Sequence, residues 1–483
     1  MSTHPVAEIT SHSTWSFIED KFSPYAKDLL TKLVDFVQNE VVPGEKVFHA
    51  QIPDDARRWQ TTPPIVFDLN KRAKALGLWN LFLSKAHYPD VGVPLTNLEY
   101  AVMAEVMGRT GHLASLATNC AAPDTGNMEV LARYGTEAQK KEWLAPLMNA
   151  EIRSAFSMTE KGVASSDATN IQTSIRKEGN DIVINGHKWW ISGAGDPRCK
   201  VHLVMGKSDP NNPSKYAQQS IVIVPANTPG VRVIRPMKVM GYDDAPEGHC
   251  EVIYENVRVP ERNLIAGWGR GFEVIQGRLG PGRIHHCMRS IGLAQRALDI
   301  MLERVTDPAR KTFGKHLYQH GTVVANIAKS RAEIEGARLL VLSAAHQIDK
   351  VKAKGALKEI GIAKVGLALI AISSLTNLAD SRPRLPQLLH YTFEKFVVPS
   401  MALQVVDRAM QAFGAEGVSQ DTPLAYWWAG LRTLRYADGP DEVHIQQIGE
   451  RELKRAPSLR TASEKAKKKE TALFEKYGVK ARL

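Results

Sequence analysis

The chain is predicted to be α+β, with an N-terminal helical domain, a central β-barrel and a C-terminal four-helix bundle. Three stretches of hydrophobic periodicity predict this. Apolar residues recur at helical spacing over residues 15–150, alternate with period two from about Arg153 to Pro260, and return to helical spacing from Phe272. Strands grouped between two helical blocks argue against a βαβ sheet, in which the two would alternate. At 483 residues the chain can bury a large core in roughly two to four structural units. The expected boundaries are 15–152, 153–262 and 270–453, followed by a basic tail over 454–483.

In the first block, residues 27–37 carry an amphipathic pattern that Val42-Pro43-Gly44 is expected to stop. Residues 98–107 read as a second helix closed by Gly108. Thr136 stands in N-cap position, with Gln139 three residues on to complete a capping box. In the β block, residues 175–177, 181–184 and 187–191 alternate like half-buried strands. Asn185-Gly186 reads as a hairpin turn between the last two, since both residues tolerate positive φ. Residues 201–205, 220–224 and 250–254 continue the strand pattern. Long helices are expected over 284–305, 321–352, 357–379 and 391–413, with Gly280-Pro281-Gly282 ending a loop before the first.

The composition, 43% apolar and 23% charged, is that of an ordinary globular protein. Cys120, Cys199, Cys250 and Cys287 lie far apart, which argues against a zinc site or a disulfide framework. The longest apolar stretch, residues 365–375, suits a buried helix and is too short to span a membrane. The formal charge of +11 raises nucleic-acid binding, but the distribution weakens that reading. From Lys454 onward ten Lys or Arg face three Asp or Glu, so the tail holds most of the excess as a solvated segment. The first twenty residues hold no Lys or Arg, unlike a mitochondrial presequence, and no apolar signal core. Ala481-Arg482-Leu483 resembles the Ser-Lys-Leu address, which makes the peroxisome the expected location.

Two motifs fall away on inspection. Gly267-Trp268-Gly269-Arg270-Gly271 follows a loop, with neither the βαβ context nor the spaced third glycine of a dinucleotide site. His285-His286 point about 100° apart on a helix with no ligand at i,i+4, so no metal is expected and a structural or substrate-lining role is favoured.

Other segments carry more. They are Phe156-Ser157-Met158-Thr159-Glu160, Ser166-Asp167, Trp190-Ile191-Ser192, Arg310-Lys311-Thr312-Phe313-Gly314, Gln411-Ala412-Phe413-Gly414-Ala415 and Ala437-Asp438-Gly439-Pro440-Asp441-Glu442. In this order and spacing, over about residues 20–455, they resemble the acyl-CoA dehydrogenase family, flavoenzymes that desaturate acyl thioesters between Cα and Cβ. The loop Lys161 to Ser165 is one residue longer than the common family pattern and has Lys161 where proline is usual. That resembles the branch whose larger members also carry a phosphotransferase-like domain, for which this chain has no room.

The resemblance implies FAD as cofactor. Met158 and Thr159 would face the flavin's pyrimidine side, Trp190 and Ile191 its ring, and Ser192 its N5. Arg310, Phe313, Gln411, Gly414 and Ala415 would hold pyrophosphate and adenine across a subunit interface, with Pro440 and Glu442 in the turn near adenine. Ser166 would lie between cofactor and the thioester arm, and Gly439 and Arg283 at the substrate. Arg283 either touches substrate or orients nearby acids. His320-Gly321 stands where the family has a glutamine. Asp438 matches the catalytic base, where a glutamate is usual, with Asp441 and Glu442 as rival carboxylates. A base that takes a proton α to a thioester must be a carboxylate in reach and in a dry site. Read without the resemblance, Asp438 only caps the turn opened by Gly439-Pro440. By the same resemblance, the base's backbone N–H and a ribityl hydroxyl would polarise the thioester oxygen. A homodimer or homotetramer and an electron-transfer flavoprotein are the expected partners. Rival readings are an oxidase passing electrons to O2 and, further off, a flavin-bearing nucleic-acid-binding protein.

Overall fold

The computed structural model describes residues 4–350 and 385–479, excluding the side chains of residues 277, 279–283, 385–395, 447 and 451. The expected helix over 357–379, the apolar stretch 365–375 and the terminal tripeptide lie outside the described residues.

Helix α1 (Pro24–Phe36) does not stop at Pro43. It passes through a π turn, Val37–Val41, into α2 (Val42–Ala50), with the proline at the start of the new segment. A proline lacks the N–H for the helical ladder and crowds the carbonyl four residues back; a wider turn accommodates both. The same device recurs at Lys140–Leu144, directly before the helix containing Pro146. Helix α3 (Asn97–Gly108) opens on a Thr96–Glu99 capping box, and Thr136 with Gln139 forms a second. Helix α4 (Asp124–Tyr134) completes the elements used below.

The middle region is an eight-stranded sheet: β1 (Arg153–Ser157), β2 (Ser174–Glu178), β3 (Asp181–Ser192), β4 (Cys199–Lys207), β5 (Gln219–Pro225), β6 (Val231–Met237), β7 (His249–Pro260) and β8 (Leu264–Ile265). The pairing path is β6-β7-β3-β2-β4-β5-β8, with β1 parallel to β4. It has two ends, so hydrogen bonding does not close a ring. Ile175, Ile184, Val204, Val222 and Val252 nevertheless converge on one inner core. The alternate residues Val201, Leu203, Met205, Ile221 and Ile223 join the core built by the helices. Period two thus buries both faces.

Asn185-Gly186 is not a hairpin. Strand β3 continues through it with a register shift, and the turn between β2 and β3 lies at Gly179, with φ of +64°. Asn185 Oδ1 accepts the Asn256 N–H at 2.8 Å, and a Cβ on Gly186 would strike the Thr173 side chain. Glycine here serves a bulge and a close approach, which the same dipeptide also suits.

Helix α5 (Gly271–Thr306) runs unbroken through Gly280-Pro281-Gly282, where a loop end was expected. Its packing against α3, α6 (Gly321–Lys350) and α7 (Leu385–Phe413) overrides the local breaking signal. Helices α8 (Leu424–Thr433), α9 (Asp441–Leu453) and α10 (Ala456–Tyr477) follow. Residues Ala456–Tyr477 of the basic tail are therefore a helix, and none of that helix's residues is buried. Among the described residues no helix is long and apolar enough to cross a membrane.

Helices α3 and α5 cross backbone to backbone. A Cβ on Gly108 would collide with the Arg289 backbone, and one on Gly292 with that of Glu105. Beside this crossing Arg338 of α6 donates to both Glu105 oxygens, at 2.8 to 3.1 Å, with both side chains buried. Removing Arg338 leaves Glu105 buried without its cation, whereas Arg338 without Glu105 still has Glu335 at 2.8 Å. Arg338→Met should cost about 3–5 kcal/mol, and Glu105→Leu with Arg338→Met clearly less. Urea-unfolding midpoints of the three proteins check this; a double variant as unstable as the single would contradict it.

Candidate active site

Three groups of predicted residues come together locally. In the first, Met158 to Glu160 leave β1 and run alongside β3. The Trp189 N–H donates to Thr159 O at 3.1 Å, Thr159 Oγ1 donates to Trp189 O at 2.5 Å, and Glu160 bridges Lys188. Trp190 follows with φ of +56°, inside a register shift of β3. Left-handed backbone is rare for a bulky residue. Its ring remains 37% exposed, edge-on to His249 at 5.6 Å. Ile191 points into the sheet core, and Ser192 Oγ lies 2.8 Å from His249 Nδ1. Met158, Thr159, Trp190 and Ser192 thus form one ledge. The ledge is the outcome of strand pairing.

Beneath it lies a pair that sequence reading missed. Lys188, 0% exposed, donates to Glu160 Oε1 at 2.8 Å, Met158 O at 2.8 Å and Met205 O at 2.7 Å. Glu160 also accepts the N–H groups of Gln172 and Thr173 at 2.7 and 2.9 Å. Burial pushes the Lys188 ammonium down to about 8, against the pull of Glu160. Burial would raise the Glu160 carboxyl, but Lys188 and the backbone donors outweigh it and hold it low. A lysine at an inward position of a strand was the available signal.

The longer loop follows. Gly162 has φ of +83°, Ser165 Oγ accepts the Glu160 N–H at 3.0 Å, and Ser166 is exposed. Lys161, standing where the family has proline, reaches Glu251 at 3.2 Å.

In the second group, Arg310 lies 3.4 Å from Asp307 and 3.7 Å from Glu416, which Arg304 also holds at 2.8 Å. Glu416 therefore joins the Arg310 segment to the end of α7 and the turn after it, where Gln411, Gly414 and Ala415 are all exposed. Phe313 and Gly314 have φ of +53° and +73° and connect the short strands β9 (Lys311–Thr312) and β10 (Lys315–His316). Positive φ at both central residues is the tight-hairpin geometry. It leaves the Phe313 ring 93% exposed. His320 Nε2 contacts Thr312 O at 3.2 Å, bracing this arm where a glutamine was expected.

The third group is the turn between α8 and α9. Asp438 has φ of +56° and Gly439 +112°, and a Cβ on Gly439 would meet His444 Nε2 at 2.8 Å. The rivals separate here. Asp441 is buried and paired with Arg435 at 2.6 Å, while Glu442 is exposed and follows Pro440 into the first turn of α9. Asp438 Oδ2 lies 3.6 Å from His286 Nε2 on α5. Its charge also acts on Arg278 and Arg289 of that helix, both of which burial pushes below the usual guanidinium value. Arg278 stacks on the Phe156 ring at 4.1 Å, two residues before Met158, and so links the Asp438 turn to the ledge. The Arg283 side chain lies outside the described set.

Family models for the N-terminal, middle and C-terminal domains of acyl-CoA dehydrogenases match residues 23–151, 155–257 and 269–380 with 378–453. The chain belongs to the acyl-CoA dehydrogenase family. Among its relatives, mouse acyl-CoA dehydrogenase family member 10 is 50% identical over 89% of this chain and 37% of that protein. The Mycobacterium tuberculosis protein named "Probable acyl-CoA dehydrogenase FadE2" is 46% identical over 91% of this chain and 98% of its own length. The chain thus spans well under half of the first relative and nearly all of the second. The solved structure described as "Structure of a putative acyl-CoA dehydrogenase from Mycobacterium abscessus" is 43% identical, with a TM-score of 0.78 over 90% of this chain and 99% of that one. Butyryl-CoA dehydrogenase from Megasphaera elsdenii, 23% identical over 89% of this chain and 99% of that one, shares the dehydrogenase fold at a TM-score of 0.68.

Two outcomes test this site. Lys188→Met leaves Glu160 buried without its cation and should destabilise the protein by about 3–5 kcal/mol. A thermal midpoint within a degree or so of wild type would refute that. The second concerns acid. Burial alone would raise the Glu251 carboxyl, but His187, Lys161 and Arg235 hold it at about 2. A carboxyl held low stabilises the fold fully above its ordinary value of 4.5 and loses that contribution as pH falls towards about 2. Glu251→Gln should therefore flatten the fall in stability across this window, read as urea midpoints at several pH values.

Proposed function

We propose that this chain binds FAD and converts an acyl-CoA thioester into its trans-2-enoyl-CoA. The observation that carries the reading is Asp438, a carboxylate in a left-handed turn facing the cationic stretch of α5.

The residues present fit a flavin. An isoalloxazine needs aromatic or apolar cover and polar groups along its edge. Trp190 offers an exposed ring held out of its strand, and Thr159 and Ser192 offer hydroxyls beside it. When bound, FAD supplies the acceptor for the hydride that leaves Cβ. The chain's own residues do the rest. Met158, Thr159 and Ser192 hold the cofactor's edge, and Lys188 keeps their strand segment in place. Asp438 accepts the Cα proton as the Cα–Cβ double bond forms. Arg310 and the segment Gln411 to Ala415 suit a diphosphate and adenine, since a guanidinium pairs with phosphate oxygens and a glycine admits close approach. The exposed Phe313 on its projecting arm supports a second copy covering this part of the site. Reoxidation of the reduced protein by an electron-transfer flavoprotein or by O2 separates a dehydrogenase from an oxidase.

The test is a panel of saturated acyl-CoA thioesters of graded length, scored by anaerobic flavin bleaching. At least one should bleach the flavin. Asp438→Asn should retain FAD and thioester binding while the bleaching rate falls about 10²–10⁴-fold. Normal bleaching by Asp438→Asn, with loss in Asp441→Asn or Glu442→Gln, would move the base elsewhere.

A further inference from the structure

His286 has a second contact besides Asp438. Arg289, one turn further along α5, places Nη2 3.2 Å from His286 Nδ1. A guanidinium only donates, so His286 Nδ1 is the acceptor and carries no proton. A neutral imidazole then holds its proton on Nε2, the nitrogen 3.6 Å from Asp438 Oδ2. Both side chains are about a quarter exposed, 25% and 23%, so a small rotation brings them to hydrogen-bond length.

We infer that His286 is a positioning residue, locked by Arg289 as the Nε2–H tautomer and donating to the Asp438 carboxylate. The inference rests on the reading of Asp438 as the base. A base must be both ionised and aimed. A donor on one carboxylate oxygen favours the ionised form and fixes the direction in which the carboxylate points. The same tautomer removes His286 as a competing base, because no lone pair of its ring faces Asp438. Helix α5 is held for this task by its glycine crossing with α3, which fixes the Arg289 backbone.

The charged and titratable surroundings are compatible. Arg278, His285 and Arg289 share α5 with His286; Tyr100 of α3 lies edge-on to His285 at 4.6 Å, and His444 of α9 backs Gly439. Burial, with Arg289 adding to it, lowers His285 well below the usual imidazole range. Burial likewise raises Tyr100 and Cys120, which face Arg289, so neither ionises near neutral pH.

The test has two arms on the FAD-loaded protein. In the first, histidines carry a nitrogen label and long-range proton–nitrogen correlation reads their tautomers between about pH 6 and 8. The His286 signal, identified by its loss in His286→Gln, should be that of Nε2–H. A signal of Nδ1–H or of imidazolium overturns the inference whatever Asp438 does. The second arm measures the anaerobic reduction rate against pH, using the panel thioester that bleaches wild type fastest. His286→Leu should slow reduction roughly tenfold, with the thioester Kd within about twofold. Its acidic limb should move up by about one pH unit, since the carboxylate loses a donor. His286→Gln, whose amide N–H reaches the same place, should recover most of the rate. An inactive Asp438→Asn beside a His286→Leu that matches wild type in rate and limb defeats the inference alone. A fully active Asp438→Asn defeats the base assignment instead.

Discussion

An ammonium group withdrawn from water must be surrounded by acceptors, and Lys188 has three: a carboxylate and two carbonyls. Those acceptors belong to the segment leaving β1 and to β4, while the lysine belongs to β3. One charge therefore ties three stretches of chain distant in sequence. Glu160 extends the tie to the backbone of Gln172 and Thr173 at the start of β2. Such a pair is not needed for stability, since apolar packing of equal volume serves as well or better. What it supplies here is register. A one-residue slip of β3 would put Lys188 on the opposite face and Trp190 with it. The ledge of Thr159, Trp190 and Ser192 exists because that slip is forbidden.

The other half of the site depends on a different constraint, the approach of two helix backbones. Gly108 and Gly292 remove the side chains that would separate α3 from α5. Helix α5 can then present Arg278, His286 and Arg289 to the Asp438 turn. Arg278 reaches across to Phe156 of β1. Beside the shared apolar core, the Arg278 guanidinium thus links the sheet to the C-terminal helices between the ledge and the carboxylate. The Glu105–Arg338 pair sits beside the same crossing and joins a third helix to it.

Much of this was legible beforehand, and the failures share a cause. The three periodicities locate the helical and strand blocks, because amphipathic spacing is set by burial and is local in sequence. The Thr136–Gln139 cap was legible for the same reason. Asn185-Gly186, Pro43 and Gly280-Pro281-Gly282 were misread because each is a permissive signal. Glycine allows a turn, a bulge or a close approach, and only the neighbour decides which. At Gly186 the neighbour is Thr173, which sequence cannot place. Proline at residue 43 is tolerated once the preceding turn widens, a choice made by tertiary packing. The site followed the same division. Trp190, Ser192, Arg310 and Asp438 carry a family pattern, whereas His286 was read only as structural or substrate-lining, since the carboxylate near it lies over 150 residues away in sequence.

Asp438 has one methylene fewer than the glutamate usual in the family, so its carboxylate reaches less far, and either the backbone brings it closer or the acyl chain lies differently. Asp438 and Gly439 both have positive φ, and Gly439 is obligatory twice over, for its φ and for the space that His444 occupies. A left-handed aspartate is tolerated better than a left-handed glutamate, because its short polar side chain suits that conformation. The shorter side chain also has fewer rotamers to sample, so one donor is enough to aim it. Residue choice, backbone conformation and the facing imidazole thus form one solution to placing a carboxylate, and each makes sense only with the other two.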